Sequence, residues 1–196
     1  MEAVTAFVLA GGKSSRMGSD KALLELAGRP LLRHALDMAR ALTENVKIVG
    51  DPAKYAAFGI VVPDVYHDRG PLGGIHAALV HSITELNLIL ATDLPFVEPE
   101  FLRHLITIAD ATKALVTVPQ IGAYFEPLCA VYRKPFASIV ETALSQGKNK
   151  VDALFADGPI RIVSEKEIIS AGFSFAMLRN LNSPDDFQQA ERQWLG

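Results

Sequence analysis

Within "LAGGKSSRMGSDK" (residues 9–21) the chain gathers two adjacent glycines, Gly11 and Gly12, with an arginine, Arg16, and a lysine, Lys21. Each of these residue types has a use at a phosphate. Glycine lets the backbone approach a ligand closely and adopt positive φ, and successive N–H groups can converge on an anion. Arg16 offers a planar fork of donors and Lys21 a mobile point charge. Together they would neutralise a polyphosphate. Two familiar phosphate loops are excluded by spacing. A P-loop needs a glycine five residues before the Gly of Gly-Lys-Ser, and Phe7 stands there relative to Gly12. A dinucleotide fingerprint needs G-x-G, and here the first two glycines are adjacent.

A second chemical group is Asp93, which ends the apolar run "NLILATD" (87–93). An acid at the carboxyl end of a buried strand is placed to hold Mg²⁺, which takes one or two carboxylates with phosphate oxygens and water. Asp64 closes "IVVPD" (60–64), another strand end before a loop. "GPLGG" (70–74) reads as a second flexible loop leading into a helix, whose N-terminus favours an anion. Taken singly, each has a plain structural alternative: an exposed glycine turn, or an acid capping a strand end.

The elements that must position these residues follow from hydrophobic pattern. "VTAFVLA" (4–10), "NVKIVG" (45–50), "IVVPD" and "NLILATD" read as strands, the first and last buried on both faces. "ALVTVP" (114–119), "PLCAVY" (127–132) and "IRIV" (160–163) follow as further strands. Helical periodicity covers 30–42, with Pro30 at its start, then 71–83, 98–110 and about 134–146. Residues 183–194 form a last helix, with Ser183 and Asp186 as a capping box in which Asp replaces the usual Glu. The alternation predicts an α/β fold with a mostly parallel central sheet and helices on both faces. In such sheets ligands bind at the carboxyl ends of the strands, near a switch in strand order. That rule singles out the loop after the first strand and Asp93.

Composition narrows the function. The 196 residues are expected to form a single domain, 49% hydrophobic and 21% charged. A net charge of −3 argues against broad nucleic-acid binding. The single cysteine, Cys129, reads as a buried structural thiol. The five histidines make no zinc pattern. The N-terminal apolar run lacks the pattern of a signal peptide, and no run reaches the ~20 residues a bilayer span needs. A cytoplasmic location without a membrane partner is expected.

The opening segment resembles the signature of pyrophosphorylase-type nucleotidyltransferases. Its pairing "LAGG…RMG…DK" is most similar to one branch, the molybdenum cofactor guanylyltransferases. "DRGPLGGIHAAL" (68–79), "LATDLPFV" (90–97), "EPLCAVYRKP" (126–135) and "RNLNSPDDF" (179–187) extend the resemblance along almost the whole chain. It implies a three-layer sandwich with a Rossmann-like nucleotide-binding half, of the nucleotide-diphospho-sugar transferase type. The implied reaction transfers GMP from GTP to the terminal phosphate of molybdopterin cofactor, with Mg²⁺ as cofactor. Proteins that deliver or receive the cofactor are the implied partners.

The resemblance also assigns roles. Leu9, Ala10, Gly11 and Gly12 border the nucleotide, Arg16 and Lys21 grip the triphosphate, and Asp64 contacts the nucleotide. Asp93 holds the magnesium. Arg16, Lys21 and Asp93 are thus the implied catalytic residues. Asn182 matches an asparagine on the pterin-phosphate or metal side, and Asn180, two residues before it, shares its face if the segment is extended. One departure stands out: some relatives carry a guanine-contacting asparagine where this chain has Gly50. Alternatives on the same scaffold are a CTP-dependent enzyme for the same cofactor and a transferase acting on a sugar or alcohol phosphate. A catalytically silent nucleotide-binding module is the reading from another class.

Overall fold

A computed structural model describes residues 2–11, 20–66 and 69–195. At its centre lies β1 (Val4–Leu9), buried along its whole length. Side chains of a strand alternate between faces. Ala6 and Val8 therefore enter one apolar cluster with Leu32 and Leu36 of α1 (Leu31–Arg40) and Phe101 and Leu105 of α4 (Pro99–Asp110). Phe7 and Leu9 enter a second cluster with Leu72 and Ile75 of α3 (Gly70–Val80) and Phe136 and Val140 of α5 (Phe136–Ser145). Two helical layers thus sandwich the sheet.

The remaining strands are β4 (Val46–Val49), β5 (Val61–Val62), β6 (Leu86–Ala91), β7 (Val116–Ile121), β9 (Cys129–Arg133) and β10 (Ile160–Ser164), with a short β8 (Tyr124–Phe125) beside β7. Their order is β10-β7-β9-β6-β1-β4-β5. β5, β4, β1 and β6 are parallel, as are β7 and β10. β9 runs against both of its neighbours, β6 and β7. The mostly parallel sheet matches the sequence pattern. The reversal of β9 was not legible there, because a strand buried on both faces reads the same in either direction.

The hairpin of β2 (Glu25–Leu26) and β3 (Arg29–Pro30) turns through Ala27 and Gly28, both at positive φ, as a two-residue hairpin turn requires. Pro30 is the residue before α1, close to its expected place. A third cluster of Leu26, Leu31, Leu181 and Ala190 clamps α7 (Pro184–Leu195) onto this hairpin. The capping box of α7 forms as expected: Ser183 Oγ accepts from the Asp186 N–H at 3.2 Å, and Asp186 accepts from the Ser183 N–H at 2.8 Å. Cys129 is fully buried, and burial pushes its thiol well above the usual range.

"GPLGG" is not a loop. It forms the first turn of α3, with Leu72, Gly73 and Gly74 buried. Gly73 and Gly74 serve close approach, whereas Gly70 takes a positive φ of 59° with open space around it. A Cβ on Gly73 would stand 2.8 Å from the Tyr66 carbonyl oxygen, and one on Gly74 2.9 Å from the Leu9 side chain. Backbone cannot yield as a side-chain tip can. Gly73→Ala is therefore expected to lower stability by about 1–3 kcal/mol through overpacking, despite alanine's higher helix propensity. A chemical-denaturation midpoint no lower than wild type would refute this.

A short helix that the sequence pattern did not reveal, α6 (Glu165–Ser170), carries a full capping box between Ser164 and Glu167. The Arg161 hydrogen bond, then the Ser164 N–H, holds the Glu167 carboxyl down at about 2. A depressed folded-state pKa stabilises above the ordinary carboxylate range and loses that contribution as pH falls toward the folded value. Glu167→Gln is expected to flatten the acid limb of thermal stability between about pH 4.5 and 2, modestly because the carboxylate is partly exposed.

Candidate active site

Because β5, β4, β1 and β6 run in parallel, the residues after them emerge at one edge of the sheet. Asp64 follows β5, Gly50 follows β4, Ala10 and Gly11 follow β1, and Asp93 follows β6. The chain builds outward from β1 to β4 and β5, then returns to lay β6 on the other side of β1. The crevice at the ends of β1 and β6 is thus the switch point where such folds bind ligands.

Lys21 and Asp93 meet in that crevice. The Lys21 ammonium donates to Asp93 Oδ2 at 2.7 Å and to Asn182 Oδ1 at 2.7 Å. The Lys21 and Asp93 side chains are 22% and 19% exposed. Asp93 Oδ1 is buried and has no hydrogen-bond partner among the described residues. A carboxylate oxygen left in this state is a vacant acceptor for a hard cation. Asp93 with the amide oxygen of Asn182 makes an all-oxygen donor set of the kind Mg²⁺ takes. The residues present therefore fit a divalent cation.

Lys21 owes its position to Asp20. The Asp20 carboxylate accepts from the Ala22 N–H at 3.2 Å, capping a 3-10 turn over Lys21–Leu23. Its other oxygen accepts from the Tyr55 hydroxyl at 2.7 Å and the Lys54 ammonium at 3.1 Å. Tyr55 ends α2 (Pro52–Tyr55), a short helix capped by Asp51. The buried Tyr55 ring also explains Gly50, where a Cβ would lie 2.8 Å from the ring and 3.1 Å from the Ala10 carbonyl oxygen. An asparagine at residue 50 has no room here. Any base recognition at this point falls to backbone groups.

Sequence reading missed Glu126. Its N–H donates to the Pro119 carbonyl and its own carbonyl accepts from Cys129, each at 3.0 Å, so its backbone is pinned on both sides. Burial raises its carboxyl above the ordinary value; a hydrogen bond from Asn180 lowers it, and the charge of Asp93 raises it further. The only advance signal was its place at the head of "EPLCAVYRKP".

The segment 180–182 ties these groups together. Asn180 lies beside Glu126 and lowers its carboxyl, the Leu181 N–H donates to the Asp93 carbonyl at 2.9 Å, and Asn182 accepts from Lys21. No regular strand forms over residues 180–182, so the alternation expected there is not that of a sheet strand. The Leu181 N–H is spent on Asp93 and its side chain on the cluster beneath α7. Asn182 reaches Lys21, and Asn180 lies beside Glu126.

Of the remaining expected site residues, Leu9 and Ala10 are buried at the end of β1, with Gly11 exposed beyond them. Asp64 sits over the first turn of α3, its Oδ1 3.3 Å from where a Cβ of residue 73 would stand. A carboxylate suits that positive helix end. Gly12 and Arg16 lie outside the described residues. Among the described residues, no helix is long and apolar enough to cross a membrane.

A three-layer, mostly parallel sheet with a lysine and carboxylate at its switch point is the frame of the α/β nucleotidyltransferases, the nucleotide-diphospho-sugar transferase type. The profile of the MobA-like NTP transferase domain matches residues 6–162, and the chain belongs to that family. A probable molybdenum cofactor guanylyltransferase of Flavobacterium johnsoniae is 36% identical over 187 residues, covering 95% of each chain. A molybdenum cofactor guanylyltransferase of Desulfosudis oleivorans is 32% identical over 97% of this chain and 96% of its own. The crystal structure of molybdopterin-guanine dinucleotide biosynthesis protein A from Archaeoglobus fulgidus superposes with a TM-score of 0.87 at 26% identity, covering 97% of this chain and 98% of that one. A cytidylyltransferase from Thermus thermophilus, at 16% identity and TM-score 0.73 over the whole of both chains, shares the fold.

The Tyr55–Asp20 hydrogen bond joins a buried hydroxyl to a charged acceptor, a class worth about 1.5–3 kcal/mol. Tyr55→Phe keeps the ring against Gly50 and removes only that bond. Its unfolding free energy in urea is expected to fall by about that amount, with a wild-type value counting against the arrangement.

Proposed function

We propose that this protein transfers GMP from GTP to the terminal phosphate of molybdopterin cofactor, forming the guanine dinucleotide and releasing pyrophosphate, as a single cytoplasmic domain. One observation carries the reading: the Lys21–Asp93–Asn182 cluster at the switch point of a chain in the MobA-like family. The names of the relatives supply the substrates.

In this reading an oxygen of the acceptor phosphate attacks the α-phosphorus of GTP in line. The bond to the β-phosphate oxygen breaks, and pyrophosphate leaves with that electron pair. The attacking phosphate is already ionised, so no general base is required. Positioning and charge stabilisation are what the protein must provide. Leu9, Ala10, Gly11 and Gly12 border the nucleotide, the glycines bringing backbone donors close, and Asp64 contacts it from the end of β5. Lys21 and Arg16 offset charge on the pentavalent phosphorus and the departing pyrophosphate. Asn182 and Asn180 line the acceptor side. Bound Mg²⁺, held by Asp93, supplies Lewis-acid stabilisation of the phosphate oxygens.

Lys21→Ala and Asp93→Ala are each expected to lower turnover by roughly 10²-fold or more while keeping a cooperative thermal transition. The measurement is Mg²⁺-dependent pyrophosphate release with molybdopterin cofactor, comparing GTP, CTP and ATP. Release at the wild-type rate would remove those residues from the mechanism. A preference for CTP would overturn the guanylyl assignment.

A further inference from the structure

The antiparallel course of β9 has a consequence at the site edge. Leu90 pairs with Cys129, and the Ala91 N–H donates to the Leu128 carbonyl at 2.8 Å. The start of β9 therefore lies beside the end of β6. Glu126, three residues before β9, is carried to the edge from which Asp93 emerges. Its backbone is fixed by two hydrogen bonds, and Asn180 lies near enough to its carboxyl to lower its pKa. Two carboxylates brought together in a partly buried crevice repel each other and lose hydration. Lys21 meets only one of them in the structure, at Asp93 Oδ2, while Asp93 Oδ1 has no partner among the described residues.

We propose that Glu126 is a second direct carboxylate ligand of the divalent cation, completing with Asp93 a two-carboxylate site at the junction of β6 and β9. The arrangement suits a hard cation that takes one or two carboxylates beside phosphate oxygens and water. Asn180 is the partner that orients the second ligand, as hydrogen bonds to ligating carboxylates do elsewhere. Adjacent residues then serve both ligands: Asn180 lies beside the Glu126 carboxyl, and the Leu181 N–H holds the Asp93 carbonyl. Asn182 meanwhile holds Lys21 beside Asp93. The inference rests on the nucleotidyltransferase reading only in taking the cation to arrive with GTP.

The test is Mn²⁺ binding to the full chain with saturating GTP and no acceptor, followed by electron paramagnetic resonance. Glu126→Gln keeps the side-chain size and an oxygen for Asn180. It is expected to weaken Mn²⁺ at least tenfold, and a smaller loss overturns the proposal. Glu126→Ala separates direct ligation from a distant field effect. Water should replace the lost ligand, so the number of waters on bound Mn²⁺, read from ¹⁷O-water line broadening, is expected to rise by one. An unchanged water count in this variant overturns direct ligation. Asp93→Asn is the reference: if it loses Mn²⁺ while Glu126→Gln retains it, Glu126 is no ligand. If wild type itself shows no GTP-dependent Mn²⁺ binding, the nucleotidyltransferase reading fails with the proposal. Cooperative melting of each variant confirms that binding is read on folded protein.

Discussion

The contact between Lys21 and Asp93 is the constraint around which the molecule is arranged. The partners are 72 residues apart in the chain, and Asn182, which shares the ammonium, is 161 residues from Lys21. Charges held at 22% and 19% exposure give up much of their hydration, so the arrangement persists only where geometry and hydrogen bonds compensate. Each partner accordingly has its own rigid support. The capped 3-10 turn presents Lys21, the buried end of β6 presents Asp93, and the cluster under α7 fixes the segment bearing Asn182. The C-terminal helix thereby becomes part of the site rather than an appendage to the sandwich.

The reversed strand β9 plays a different part. In an all-parallel sheet only the residues after each strand reach the ligand-binding edge. Inserting one antiparallel strand lets the residues before it reach that edge as well. Glu126 arrives by this route, next to a carboxylate that the parallel strands had already delivered. The same insertion joins β6 to β7 and β10, so the sheet continues beyond the nucleotide-binding half without a break.

Glycine was the residue type whose meaning changed most. "GPLGG" had the composition of a flexible loop, yet Gly73 and Gly74 lie within α3, where a Cβ would strike the Tyr66 carbonyl or the Leu9 side chain. Gly50 has the same explanation, set by the Tyr55 ring and the Ala10 carbonyl. Absence of a side chain signals either conformational freedom or close approach, and local sequence cannot separate the two. Only the neighbours decide, and the neighbours come from elsewhere in the chain.

The sequence by itself determined what is local or periodic: the alternation of strands and helices, the apolar run that ends in Asp93, the capping box of Ser183 and Asp186, and the burial of Cys129. Hydrophobic period and capping chemistry act over a few residues, so they can be read without knowing the fold. It also named Lys21, Asp93, Asn180 and Asn182, through a resemblance to related chains. Tertiary structure decided how those residues combine: Lys21 against Asp93 and Asn182, Asn180 against Glu126, and the Tyr55 hydroxyl on Asp20. It also decided the direction of β9 and hence the place of Glu126. These depend on strand order and long-range burial, which join segments that share no local pattern and meet only when the sheet closes.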